Sequence, residues 1–196
     1  MEKFILFGKR PFNNYAYDRL QSIAENINSL SDIELLMHKD TFDKLVKKLV
    51  TIYSLQPVNI SFEDKLVDLI DRPDDEGSHY FAEYTLMIEG DAELLQLDPF
   101  NSGYVAFPMP VVVKTNVISF EIDTNFSSEE LTDSVMKEIK KDYDLIKDHI
   151  SSSILQLNNE SQKFNLRLEE FITPILARRM RKAFKHTLIK QKLNFK

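Results

Sequence analysis

The chain has no cysteine, no tryptophan and only four glycines among its 196 residues. Without cysteine there can be no disulfide, no thiol nucleophile, no thiolate metal site and no iron–sulfur cluster. The glycines, Gly8, Gly77, Gly90 and Gly103, stand alone. A phosphate-cradling loop needs residues without side chains at fixed spacings, so that backbone amides can approach the ligand; these four do not provide one. No serine sits in a glycine-flanked elbow, which removes the usual nucleophile turn. Long apolar runs are missing as well. The start, Met1 to Phe7, is too short for a signal peptide and is closed by Gly8-Lys9-Arg10. Nothing approaches the roughly 18 uninterrupted apolar residues of a membrane span. The expected location is therefore the cytoplasm, and no membrane span, metal or cofactor is expected.

Apolar residues make up 43% and charged residues 29%, and 14 Phe with 7 Tyr can build a core of ordinary size. That composition reads as globular rather than disordered. Charge is sorted along the chain. From Arg178 to the end there are eight Lys or Arg and no carboxylate, leaving 17 basic residues against all 31 acidic ones elsewhere, a net of −14. An acidic body with a basic tail points to a partner, a surface or an internal clamp.

Periodicity divides the chain into three. The first third reads as helical. Leu20, Ile23, Ile27 and Leu30 recur at steps of three and four from a start near Asn14. Ser31-Asp32-Ile33-Glu34 has the capping-box pattern, and Asp40-Thr41 offers a further start before the stripe Phe42, Leu45, Val46, Leu49 and Tyr53. Pro57 stops that helix. Val58 to Phe62 reads as a short strand, Phe62 to Ile70 as a turn or two of helix, and Arg72 to Ser78 as a charged loop.

The middle third alternates. Tyr80, Ala82, Tyr84, Leu86 and Ile88 face one way, with Glu83, Thr85 and Glu89 opposite, as in a half-buried strand. Gly90 predicts a hairpin turn with Glu93 to Leu97 returning as the partner strand. Val111 to Val113 and Asn116 to Asp123 resume strand character. The last third is helical, with a second capping box at Ser127-Ser128-Glu129-Glu130 and a stripe from Leu131 through Val135, Ile139, Tyr143, Ile146, Ile150 and Ile154 to Leu157. Asn158 to Ser161 predicts a break, and Thr173-Pro174 either a new start or a kink in a continuing helix. The fold class expected is α+β: a small antiparallel sheet with N-terminal helices and a long C-terminal helical hairpin. The expected division is an α+β body over 1–126 and a helical hairpin with a basic final helix over 127–196.

Few groups suggest chemistry. His38, His79, His149 and His186 lie far apart, so a metal site would need ligands from three separate elements. Glu121 and Asp123 share one strand face, near Glu83 and Glu89 if the strands pair. Carboxylates so placed can hold magnesium in a metal-dependent nuclease, while an outward strand face is polar in any case. No catalytic residue is assigned. The basic helix is the remaining candidate, with Arg178, Arg179, Arg181, Lys182 and Lys185 around an apolar stripe of Leu176, Met180, Phe184 and Leu188. Such a helix can contact a partner protein, neutralise phosphates of nucleic acid, or pack on its own core with its cations near a helix C-terminus. The stripe from Leu131 to Leu157 adds the option of self-association.

The order of motifs is also informative. Gly90-Asp91, Leu94-Leu95 and Asp98-Pro99 are followed by a strand over Val117 to Ile122. A long helix with Ile139, Ile146 and Ile150 comes next, then Phe164-Asn165 with Leu168, and Arg178-Arg179. From Phe42 to Lys182 this series resembles the region that precedes TIR-like or restriction-nuclease-like effector domains in bacterial proteins of anti-phage defence. The resemblance implies a non-enzymatic sensor, adaptor or regulatory module. Because the chain ends at Lys196 with no effector domain after it, it implies action alone or beside an effector on a separate chain. It brings no catalytic residue with it.

Overall fold

A computed structural model describes residues 2–8, 10–38, 40–74, 77–103, 109–126 and 132–194. The expected capping box at Ser127 to Glu130, with Leu131 after it, lies outside them. The fold is α+β. Its strands are β1 (Glu2–Leu6), β2 (Arg10–Pro11), β3 (Asn59–Asp74), β4 (Gly77–Glu89), β5 (Leu97–Asp98), β6 (Met109–Lys114) and β7 (Val117–Phe126). Its helices are α1 (Phe12–Ser29), α2 (Asp32–Met37), α3 (Phe42–Tyr53) and α4 (Asp133–Asn194). No helix among the described residues is long and apolar enough to cross a membrane.

The residues group into two compact units, each discontinuous in sequence. One comprises Met1–Phe12 with Gln56–Glu160; the other comprises Asn13–Leu55 with Ser161–Lys196. This division differs from the one expected at 126/127. The cause is that α4 is long enough to furnish an apolar stripe to each unit in turn.

In the first unit five strands form an antiparallel sheet in the order β1-β6-β7-β4-β3. Alternation builds its inner face. Ala82 stands opposite Ile122, Tyr84 opposite Phe120 and Leu86 opposite Ile118, and all six are buried. The stripe of α4 closes over them: Tyr143, Ile146, Ile150, Ile154 and Leu157 are buried, and the Tyr143 ring stacks on Tyr84 at 4.5 Å between centroids. The Tyr143 hydroxyl donates to the Phe62 carbonyl at 3.3 Å. From Tyr143 to Leu157 that stripe is buried within the chain, while Val135 and Ile139 at its start are half-buried.

In the second unit, buried Ile23, Ile27, Leu35, Leu45, Val46 and Leu49 come from α1 to α3, and Phe164, Leu168, Ile172, Leu176 and Met180 from α4. The Ser31 capping box forms in full: the Glu34 amide donates to Ser31 Oγ at 3.2 Å and the Ser31 amide to Glu34 Oε2 at 2.9 Å.

Four expectations fail for identifiable reasons. The hairpin is replaced by one 62-residue helix. Asparagine competes with helical backbone when its amide can find a local peptide group, which is why Asn158 reads as a break. Here that amide is engaged elsewhere: Asn158 accepts from the Val58 amide and donates to the Val58 carbonyl, both at 2.8 Å. Asn165, two turns on, does the same to Leu55 at 2.8 and 2.9 Å. At Pro174 the continuing helix is the outcome, with Thr173 Oγ1 donating to the Glu169 carbonyl at 2.7 Å.

Phe62 to Ile70 is strand, not helix. Ser61 pairs with Met87 and Leu66 with Thr85, so Phe62 to Lys65 bulge opposite Leu86 alone. The bulge breaks the period-two pattern on which the sequence reading depended. The charged loop at Arg72 to Ser78 is mostly hairpin, paired through Asp74 and Gly77. Finally, Glu93 to Leu97 does not return as a strand. Ala92–Gln96 is a 3-10 turn that buries Leu94 and Leu95, and the partners of β4 are β3, just before it, and β7, further along the chain.

Gly90 does turn the chain, at φ +85°, and a Cβ there would stand 1.9 Å from the Pro57 carbonyl oxygen. Gly103 has φ +68° but nothing within 4 Å. Gly90→Ala therefore combines backbone strain with an overlap that only backbone movement relieves, and is expected to cost about 3 kcal/mol. Gly103→Ala should cost only about 1 kcal/mol. Urea denaturation of the two variants measures the difference; equal losses would contradict the close approach at Gly90.

Candidate partner-binding surface

The five cations expected at the basic helix separate into two roles. Arg179 is a clamp. Its side chain is 12% exposed and its guanidinium is shared among three partners. Nε donates to the Asn28 carbonyl at 3.1 Å, Nη2 to the Leu30 carbonyl, and Nη1 meets Asp32 Oδ1 at 2.7 Å. The two carbonyls stand at the end of α1, where helical carbonyls lack partners and a cation is favoured by the helix dipole. The carboxylate is in the first turn of α2. One arginine thus ties the α1–α2 corner to α4, and His186 Nδ1 adds a contact to Asp32 Oδ2 at 3.2 Å. Arg179 is removed from the exposed contact set that the sequence suggested, because its side chain is largely buried and its guanidinium is tied to Asn28, Leu30 and Asp32. The Arg179 guanidinium, with a smaller contribution from His186, holds the Asp32 carboxyl below its ordinary value against the opposing effect of desolvation.

Arg178, Arg181, Lys182 and Lys185 are exposed. The helix repeat explains the sorting. The buried line runs Ile172, Leu176, Met180, Ala183 and then half-buried Thr187, following the drift of a 3.6-residue period. A strict step of four, as the sequence reading assumed, would have buried Phe184 and Leu188; both are exposed, as are Ile189 and Leu193. The last turns of α4 therefore present cations and large apolar side chains together. The exposed apolar residues were legible as a stripe, but only the packing shows where the stripe leaves the core.

Glu121 and Asp123 do lie side by side on the outer sheet face, and Glu83 is directly opposite Glu121. Glu89 is not near them; it pairs with Asn59. Each of the two carboxylates already has a partner. Arg72 bridges to Glu121, and His79 Nε2 meets Asp123 Oδ1 at 2.7 Å. Both partners also lie against the Phe81 ring, His79 stacked at 4.8 Å and the Arg72 guanidinium at 5.0 Å from its centre. Sequence spacing gave no sign of these partners, since Arg72 and His79 arrive from the β3–β4 hairpin more than forty residues away. Among the described residues no group of three or more His, Asp or Glu is placed to hold a metal.

On the inner face a cavity of about 480 Å³ opens between the β3 edge and the first turns of α4. Val67, Leu69, Tyr84, Met136, Ile139 and Tyr143 line it, with Lys65 and Lys140 among the polar residues. Burial pushes both tyrosine hydroxyls above their ordinary pKa, so they serve as neutral hydrogen-bonding groups. No family model, no curated protein and no solved structure matches this chain.

Removing the Arg179 side chain strands two helix-end carbonyls and one carboxylate, so Arg179→Ala is expected to cost about 2–3 kcal/mol. Arg178→Ala, on the exposed face, should stay within about 0.5 kcal/mol. Because the Asp32 pKa is lowered on folding, its contribution to stability is present above its unfolded value near pH 4 and is lost as pH falls through the lower folded value. Urea midpoints measured from pH 7 down to pH 2 should fall less steeply below about pH 4 in Asp32→Asn than in the parent chain. An unchanged slope would mean that the clamp is not coupled to folding.

Proposed function

We propose that this chain is a non-enzymatic binding and regulatory module whose contact surface is the exposed end of α4. The observation that carries the reading is the coincidence there of exposed cations (Arg178, Arg181, Lys182 and Lys185) with exposed Phe184, Leu188, Ile189 and Leu193. Exposed charges alone are unremarkable, and each contributes about 0–1 kcal/mol to stability. Large apolar side chains held among them on a rigid helix suit burial against a protein surface with an acidic rim. The partner proposed is an acidic protein, and the resemblance of the motif order to anti-phage defence regions suggests an effector on a separate chain. Cytoplasmic action in a bacterium belongs to the same proposal.

A second reading is nucleic-acid binding through the same cations. Phosphate contacts would use the cations but leave the four apolar residues idle, and a net of −14 over the rest of the chain repels phosphate. Protein contact therefore ranks first.

The test uses charge reversal at exposed positions only, Arg178→Glu, Arg181→Glu, Lys182→Glu and Lys185→Glu together, with Arg179 left in place. The variant should keep its urea midpoint while losing co-purification with an acidic effector-domain protein encoded beside it. The parent chain should bind labelled single- and double-stranded DNA and RNA no better than the variant at two salt concentrations. Salt-sensitive nucleic-acid binding lost on reversal would install the second reading. Unfolding of the variant would show these cations to be structural, and would end the proposal.

A further inference from the structure

The outer edge of the sheet is formed by β3, the last strand in the order. Natural sheets blunt such edges, since their unpaired amides and carbonyls are a template for another strand. Here the bulge at Phe62 to Lys65 guards one end and Pro73 the other. Between them Leu66 to Arg72 is a regular seven-residue stretch that, among the described residues, is paired on one side only, to β4. It also carries apolar side chains on both faces: Leu66 is 69% exposed, Val67 50% and Leu69 46%.

The charges along this edge are unbalanced in a specific way. Asp68 stands opposite Glu83, and Glu83 opposite Glu121, so three carboxylates cross the outer face in one row. Arg72 answers Glu121 at the inner end of the row. Among the described residues no cation pairs with Asp68 at the edge. Like charges directly opposite one another on neighbouring strands are unfavourable, and a cation beyond the edge would relieve the row.

We propose that this edge pairs antiparallel with the same edge of a second copy of the chain, in the register that places Ile70 opposite Ile70. The choice of register follows from the side chains. Residues opposite one another in an antiparallel ladder share a face, so only registers centred on a residue keep the outer faces together. Centring on Asp68 or on Asp71 sets that aspartate against its own copy. Centring on Leu69 brings no opposite charges together. Centring on Ile70 sets Asp68 opposite Arg72 of the second copy, and by symmetry does so twice. A two-fold axis makes the patch self-complementary, as closed dimers require. Half of the Arg72 side chain is exposed, and a guanidinium has five donors, so it can hold Glu121 of its own chain and Asp68 of the other together. Between the bulge and Pro73 this register pairs Asp68 to Arg72 of each strand, five residues, which buries less than the roughly 1,600 Å² of a standard stable interface, so the association is weak and concentration-dependent.

Sedimentation velocity of the full chain from about 1 to 300 µM tests the proposal. A monomer–dimer equilibrium is expected, weakened at least about tenfold by Asp68→Arg and by Arg72→Asp, and restored to within about threefold in the double variant. Glu121→Gln, which removes the pair within the chain but leaves the edge charges, should leave the dimerisation constant within about threefold. A strict monomer across the range overturns the proposal. So does a dimer indifferent to the single changes, or one that the double change fails to restore. Hydrogen exchange of the unmodified chain provides a readout free of mutation. Amides between Asp68 and Arg72 should gain protection as concentration rises, and no gain there overturns the proposal even if the variants fold poorly.

Discussion

A chain that leaves a helix and has not yet entered a sheet carries peptide groups with nothing to bond. In this protein that problem falls on Leu55 and Val58, both buried, between α3 and β3. Each is answered by one asparagine of α4 whose amide takes both its N–H and its C=O. Asn158 and Asn165 are seven residues apart and so project from the same side of the helix. An unpaired buried peptide group costs about 1–3 kcal/mol, so these two amides constrain α4 more than any single apolar contact in it. They also explain why the helix does not break where its sequence is most polar.

The continuity of α4 governs where its side chains go. Its first stripe closes the inner face of the sheet through Tyr143 and the isoleucines, and its second supplies the core beside α1 to α3. The helix then runs past its last buried residues, Met180 and Ala183, with Arg179 tying it to Asn28, Leu30 and Asp32 before that point. Beyond Ala183 no described residue of α4 is buried, although His186 still meets Asp32. Arg178, Arg181 and Lys182 are exposed because they lie on the helix face away from the buried line, whereas Leu188, Ile189 and Leu193 are exposed because the core has ended.

The outer sheet face follows a different logic. Its carboxylates look like a candidate metal site when read along β7 alone. Across the strands they become a pairing problem, answered for Glu121 by Arg72 and for Asp123 by His79, both of which lie against the Phe81 ring. The same row leaves Asp68 unanswered at the edge.

Much of this was readable from local pattern. The capping box at Ser31, the turn at Gly90, the alternation of β4 and β7 and the stripe of α4 each depend on residues within a turn or two of one another. Short-range stereochemistry and periodicity suffice for those. The bulge in β3, the run of α4 through Asn158, the division into two units and the sorting of Arg179 from Arg178 were not readable. Each is decided by a partner from about twenty to more than a hundred residues away, and a contact at such separation leaves no trace in local spacing. The sequence by itself determined the class of elements and the segregation of charge; only the tertiary structure decided which polar groups are already satisfied, because satisfaction depends on what the fold brings within 3 Å.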